Sequence, residues 1–162
     1  MKKILLLFCV AMLMFANGAA MANADAGYYA STGYDADGSG NISSDAGGFD
    51  AGLVAHIQLF GNGTYEMLFF GALMNGEWRA MKTQKGSEYI GMLFGKTVDE
   101  NFAKQHKKGE LVFMLVRNQE EENSFWLMQP DSDEEVILEK QQGDMDVDVL
   151  LDRMERFLTG EG

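Results

Sequence analysis

The chain has 162 residues, 46% of them apolar, and sets 25 acids against 13 bases for a formal net charge of −12. That balance argues against a nucleic-acid partner, whose phosphates would be repelled, while the length suits one domain burying roughly two-thirds of its unfolded surface. The single cysteine, Cys9, precedes the expected mature chain, so no disulfide is available and the fold must rest on burial.

The N-terminus reads as a secretory signal peptide: Met1-Lys2-Lys3, an apolar run from Ile4 to Phe15, then small residues. Ala22-Asn23-Ala24 fits the A-x-A rule and predicts a signal peptide over 1–24, with Ala20-Met21-Ala22 as a rival site. The run is shorter than the roughly 20 residues that span a bilayer. The expectation is an exported protein, periplasmic or extracellular, with no transmembrane segment in the mature chain and a single domain over 25–162.

A first strand is expected over Tyr28–Thr32. An acidic, glycine-rich loop follows over 35–52, longer than ordinary connections and of the kind that is usually functional or disordered. From Gly52 to Gly71 two β-runs flank Gly61-Asn62-Gly63. A three-residue loop there sets Leu59 opposite Tyr65, Ile57 opposite Met67 and Ala55 opposite Phe69, so one face is wholly apolar. The other face, with Gln58 opposite Glu66 and His56 opposite Leu68, reads as half-wet. Gly63 supplies the left-handed residue.

Asn75-Gly76 predicts a second tight turn, with Leu73 opposite Trp78 and Gly71 opposite Ala80, which carries the apolar face onto Trp78. Lys85-Gly86-Ser87 marks the next turn and Glu88–Phe94 the fifth strand. Thr97 and Glu100 have capping-box spacing and predict a short helix over Val98–Lys107. Strands follow over Glu110–Arg117, Ser124–Gln129 and Glu135–Lys140. Val147, Leu150, Leu151, Met154 and Phe157 fall at helical spacing, so an amphipathic helix is expected over 145–158, lying on the outer face of the sheet. The same helix is expected to account for strands such as Leu111–Val116 and Phe125–Leu127, which are apolar on both faces.

The predicted fold class is therefore mainly β: an antiparallel up-and-down meander of about eight strands, forming a closed or half-open barrel, with one inserted helix and a C-terminal helix. A curved open sheet gripping the last helix is the alternative. The signal peptide, the G-x-Y start at Gly27-Tyr28-Tyr29, the meander and the terminal helix together resemble the lipocalin-like, calycin-type secreted bacterial barrels. That resemblance implies a barrel whose first loop lids a mouth and whose interior takes a small hydrophobic ligand.

The most specific local motif is Asp35-Ala36-Asp37-Gly38-Ser39-Gly40-Asn41-Ile42-Ser43-Ser44-Asp45-Ala46. It resembles the calcium loop of EF-hands and dockerin repeats, which implies Asp35, Asp37, Ser39, the Asn41 carbonyl and Ser43 as oxygen ligands and Gly40 at the sharp turn. Ala46 stands at the twelfth position, where the family carries a bidentate acid, so Asp45 or Asp50 would have to complete the cage. The bland reading is a solvated acidic loop. No cofactor other than calcium is suggested.

The methionines of the mature chain are spread about one per strand, as core filler or an adaptable apolar lining. His56 and His106 are far apart and lack a third ligand at metal spacing. No G-x-S-x-G, H-E-x-x-H or phosphate-cradling loop is present. The sequence thus points to an exported, non-enzymatic binding module that takes a small apolar ligand or a partner's apolar segment. A structural or interaction domain of the cell envelope, with a filled core and a weak calcium site, is the alternative.

Overall fold

The Gly52–Gly71 hairpin sets the register of the whole molecule. In the computed structural model, which describes residues 24–160 apart from 120 and 122, β2 (Ala55–Leu59) and β3 (Thr64–Phe69) pair with Leu59 opposite Tyr65, Ile57 opposite Met67 and Ala55 opposite Phe69. The loop is closed by the Phe60 amide donating to the Thr64 carbonyl and the Gly63 amide to the Phe60 carbonyl, with Gly63 at φ +84°. The three-residue loop and the apolar face are thus as the residue pattern predicts. Except for its last residue, Ala24, the predicted signal peptide lies outside the described residues.

Around this hairpin eight antiparallel strands close in meander order. They are β1 (Gly27–Asp35), β2, β3, β4 (Ala72–Lys82), β5 (Glu88–Thr97), β6 (Leu111–Arg117), β7 (Ser124–Met128) and β8 (Glu135–Lys140), with β8 paired back onto β1. Closure removes the open-sheet alternative, and with it the exposed edges that an open sheet would otherwise have to protect. The interior is lined along each ladder by partners on one face: Tyr29 with Ile57, Met67 with Met74, Trp78 with Met92, Met92 with Phe113, Leu115 with Leu127, and Phe125 with Leu138. All belong to one core cluster.

The second turn lies elsewhere than the sequence suggests. Phe70 and Gly71, at φ +45° and +81°, form the two-residue connection, and Phe69 pairs with Ala72. Asn75-Gly76 instead sits inside β4, where the β4–β5 register shifts between the two residues. The reason is close approach. A Cβ on Gly76 would lie 1.9 Å from the Leu93 carbonyl oxygen and 2.9 Å from the Tyr65 ring, so glycine here marks a bulge at a strand crossing. Because the turn comes five residues earlier, Leu73 faces outward and does not oppose Trp78. Trp78 still reaches the core, where its indole N–H donates to the Phe60 carbonyl at 3.0 Å.

Two helices complete the fold. α1 (Glu100–Gln105) is capped by Asp99, whose carboxylate accepts from the Phe102 amide at 2.7 Å. Thr97 is not the cap, because β5 runs on to that residue and its hydroxyl accepts from the Asp99 amide. α2 (Val147–Thr159) starts at Asp146, whose side chain accepts from the Val149 amide, and stops at Gly160 in the left-handed conformation.

α2 lies outside the barrel over β2 and β3, where Leu150 and Met154 pack with Leu53 and Leu68, and Leu73 borders the cluster. Burying Leu68 there is worth about 2 kcal/mol. The helix therefore dries the face predicted to be half-wet: His56, Gln58 and Leu68 are buried, and the Gln58 amide oxygen accepts from the Met145 backbone. Glu66 alone of that face stays exposed. The helix does not cover the outer sides of β6 and β7, as the sequence reading supposed, and Met114, Val116 and Trp126 are left half-buried there. Among the described residues no helix is long and apolar enough to cross a membrane.

Candidate functional site

The acidic loop begins where β1 ends. Asp35 is buried at the last step of that strand, and its two carboxylate oxygens accept from the Asp37 amide at 3.2 Å and the Gly40 amide at 2.6 Å. Asp37 accepts from the Ser39 amide, and the Ser39 hydroxyl accepts from both the Asn41 backbone and its side-chain amide. Hydrogen bonds from Ser39 hold the Asp37 carboxyl below its ordinary pKa. Asp35, Asp37, Ser39 and Asn41 are thus brought into one tight turn.

The remaining candidates are placed differently. Ser43 bridges back to Tyr34 through two backbone hydrogen bonds, and its hydroxyl accepts from the Asp45 amide. Asp45 turns to the Gly48 amide, and Asp50 caps the single 3-10 turn Ala51–Leu53 through the Gly52 amide. Ala46, at the twelfth position of the motif, is buried with the core cluster. Among the described residues no group of three or more His, Cys, Asp or Glu side chains is arranged to hold a metal ion.

One acid near this turn was missed in the sequence. Glu135 sits directly opposite Asp35 in the β1–β8 ladder, and burial together with the Asp35 charge raises its pKa above the usual range. Strand pairing across 100 residues carries no local sequence signal.

The barrel interior offers little room. Its lining includes Ile57, Met67, Met92, Phe113 and Leu115, all at 0% exposure. At the mouth where β1 ends, Tyr34, Phe69, Phe113, Leu127 and Val136 leave a cavity of about 10 Å³, the space needed by roughly one water molecule. Near the start of β1, Arg117 stacks over Phe125 and pairs with Asp25, whose carbonyl accepts from the Tyr29 hydroxyl. Burial, and then the Asp25 charge, push the Tyr29 phenol up to about 12, against the opposing charge of Arg117.

The conspicuous apolar surface lies outside. A groove of about 440 Å³ runs between the end of α2 and the β3–β4 turn, lined by Phe49, Phe70, Gly71, Leu151, Met154 and Leu158. Phe157 packs on Phe49, Phe49 on Phe70, Phe70 on Phe69 and Phe69 on Phe113, each pair within 5.6 Å between ring centres. A continuous line of aromatic rings therefore joins the helix end to the barrel interior. The doubled Phe69-Phe70 and the excess of apolar residues on the last helix were its sequence signals.

Beneath α2, the Tyr28 hydroxyl and His56 Nδ1 are 2.8 Å apart, while His56 Nε2 is buried without a hydrogen-bond partner. Burial is the main cause that lowers the His56 pKa to about 4; the Gly52 backbone opposes it, and the nearby charge of Arg153 on α2 adds to it. The imidazole is neutral at pH 7.

These features define an eight-stranded, closed up-and-down barrel with a filled interior, an external C-terminal helix and an apolar groove beside that helix. No family model, no curated protein and no solved structure matches the chain.

Proposed function

We propose that the chain is an exported, non-enzymatic binding module, lipocalin-like in build, that takes an apolar segment of a partner protein on its outer surface. The observation that supports this reading above an enclosed small ligand is the packing of the barrel: the mouth cavity is about 10 Å³, whereas drug-sized ligands need roughly 300 Å³ or more. The same packing favours the filled-core interaction domain over the ligand carrier that a lipocalin layout implies. Native mass spectrometry of the mature protein tests it. The expected spectrum is the bare polypeptide, and a stoichiometric apolar adduct that survives purification would overturn the reading.

A weak calcium site at 35–45 is the second reading. The observation that favours it is the opposition of Asp35 and Glu135, two carboxylates in one ladder step beside a turn that carries Asp37. Asp35, Asp37, Ser39 and the Asn41 carbonyl would supply the first half of an EF-hand-like cage, without its closing acid. The affinity would fall in the range of about 0.1 to 1 mM seen in extracellular modules.

A further inference from the structure

We propose that the groove between α2 and the β3–β4 turn docks a cationic amphipathic segment of a partner protein. The inference rests on the binding-module reading above and adds the place and the chemistry of the partner.

The groove is costly to the isolated chain. Phe70 is 43% exposed, Leu151 40%, Phe157 39% and Leu158 71%, so four large apolar side chains meet water in one region. Leu150 and Met154 are the helix residues buried against the sheet. Scattered apolar residues on a surface need no explanation, but a contiguous cluster beside a concave groove marks an interaction site.

Phe70 adds a second cost. Its φ of +45° is one that L residues other than Asn or Asp seldom adopt, and a two-residue hairpin turn at this place is most easily made by Asn-Gly. A phenylalanine here accepts backbone strain in order to present a ring to solvent at the edge of the groove. Its contacts with Phe49 and Phe69 fix that ring in place.

The charge around the groove selects the occupant. Glu155 is the charged residue that lines it. Arg156 is paired with Asp152, while the charge of Arg153 is felt at Tyr28 and His56. The chain as a whole carries −12. A second copy would bring the same acidic groove, and an anionic bilayer would bring a field of like sign, so both are disfavoured. A helix or strand with apolar anchors and Lys or Arg on its polar side meets apolar surface with apolar surface and acid with base.

The test uses two labelled amphipathic peptides with identical Leu and Phe positions, one with Lys and one with Glu at every polar position. Both are titrated by fluorescence anisotropy into the mature protein. The Lys peptide should bind at least tenfold tighter, and its advantage should shrink as salt rises from 0.05 to 0.5 M, as screening requires. Phe70→Asn, which suits the turn, and Leu158→Gln should each weaken the Lys peptide at least tenfold. Phe60→Gln, at the β2–β3 loop, should leave it unchanged, and Glu155→Lys should narrow the preference.

Equal binding of both peptides would overturn the charge assignment and leave the binding-module reading standing. Failure of both peptides to bind, or binding indifferent to Phe70→Asn and Leu158→Gln, would overturn the groove. A concentration-dependent dimer that these two substitutions abolish would replace the partner by a second copy. Tighter binding of the protein to anionic than to neutral vesicles would replace it by a membrane.

Discussion

Asp35 and Glu135 stand opposite each other across the β1–β8 ladder, the seam that closes the barrel. Asp35 is satisfied by two loop amides, whereas Glu135 is half-buried and has its pKa raised by burial and by its neighbour's charge. A carboxyl with a raised folded pKa binds protons more readily in the native state. Its contribution therefore becomes unfavourable as pH climbs through and above the usual glutamate range. Glu135→Gln should raise stability by about 0.5 kcal/mol at pH 7, the scale of one cross-strand charge pair, and the gain should vanish near pH 3. Urea midpoints at the two pH values measure it.

Calcium would act on the same end of the barrel. With a Kd of about 1 mM, 5 mM calcium adds about 1 kcal/mol to native stability, or a rise of roughly 3 °C in Tm. Asp37 is exposed and its substitution leaves Asp35 and the strand intact, so Asp37→Asn should lose that rise while melting normally without calcium. A wild-type Tm unmoved at several millimolar calcium ends the calcium reading.

His56 gives the fold a pH dependence of its own. Its pKa is about 4 in the native protein, against the ordinary 6.5 once α2 no longer covers it. The unfolded chain then binds more protons between these values, so stability is complete above pH 6.5, falls as pH drops toward 4, and levels off below. The full span is up to about 3 kcal/mol. His56→Gln keeps a polar group against Tyr28 but cannot titrate. The difference between wild type and this variant, followed by urea unfolding from pH 8 to pH 4, should change in that window and nowhere else.

How much of this was legible in the chain depends on the range of each interaction. The β2–β3 register followed from alternation and a Gly-Asn-Gly loop, since both signals sit within twenty residues. The helix α2 followed in the same way from Val147, Leu150, Leu151, Met154 and Phe157 at helical spacing, although it starts two residues after the expected 145. Asn75-Gly76 misled because a turn glycine and a bulge glycine look alike in sequence. What separates them is the Leu93 carbonyl, which a strand pairing brings within 1.9 Å of the missing Cβ. The Asp35–Glu135 opposition and the placing of α2 over β2 and β3 depend on barrel closure, which no local pattern encodes. Of the candidate calcium ligands, the turn from Asp35 to Asn41 was readable as a unit. The separate engagements of Asp45 and Asp50 were not.

Gly76 and Gly86 separate the two uses of glycine by experiment. At Gly86, φ is +88° and an added Cβ meets nothing within 4 Å, so Gly86→Ala costs only backbone strain, about 1 kcal/mol. At Gly76 φ is unremarkable, but the methyl would overlap the Leu93 carbonyl and press on the Tyr65 ring, both parts of the barrel wall. Neither can retreat without shifting β5 or opening the core around a tyrosine buried in it. Gly76→Ala should therefore cost about 3 kcal/mol or more, the range of severe overpacking, and should disturb the near-UV signal of Tyr65 and Trp78. If Asn75-Gly76 were a free turn, Gly76→Ala would cost no more than Gly86→Ala. Equal urea midpoints for the two variants would thus remove the β4 bulge from the fold.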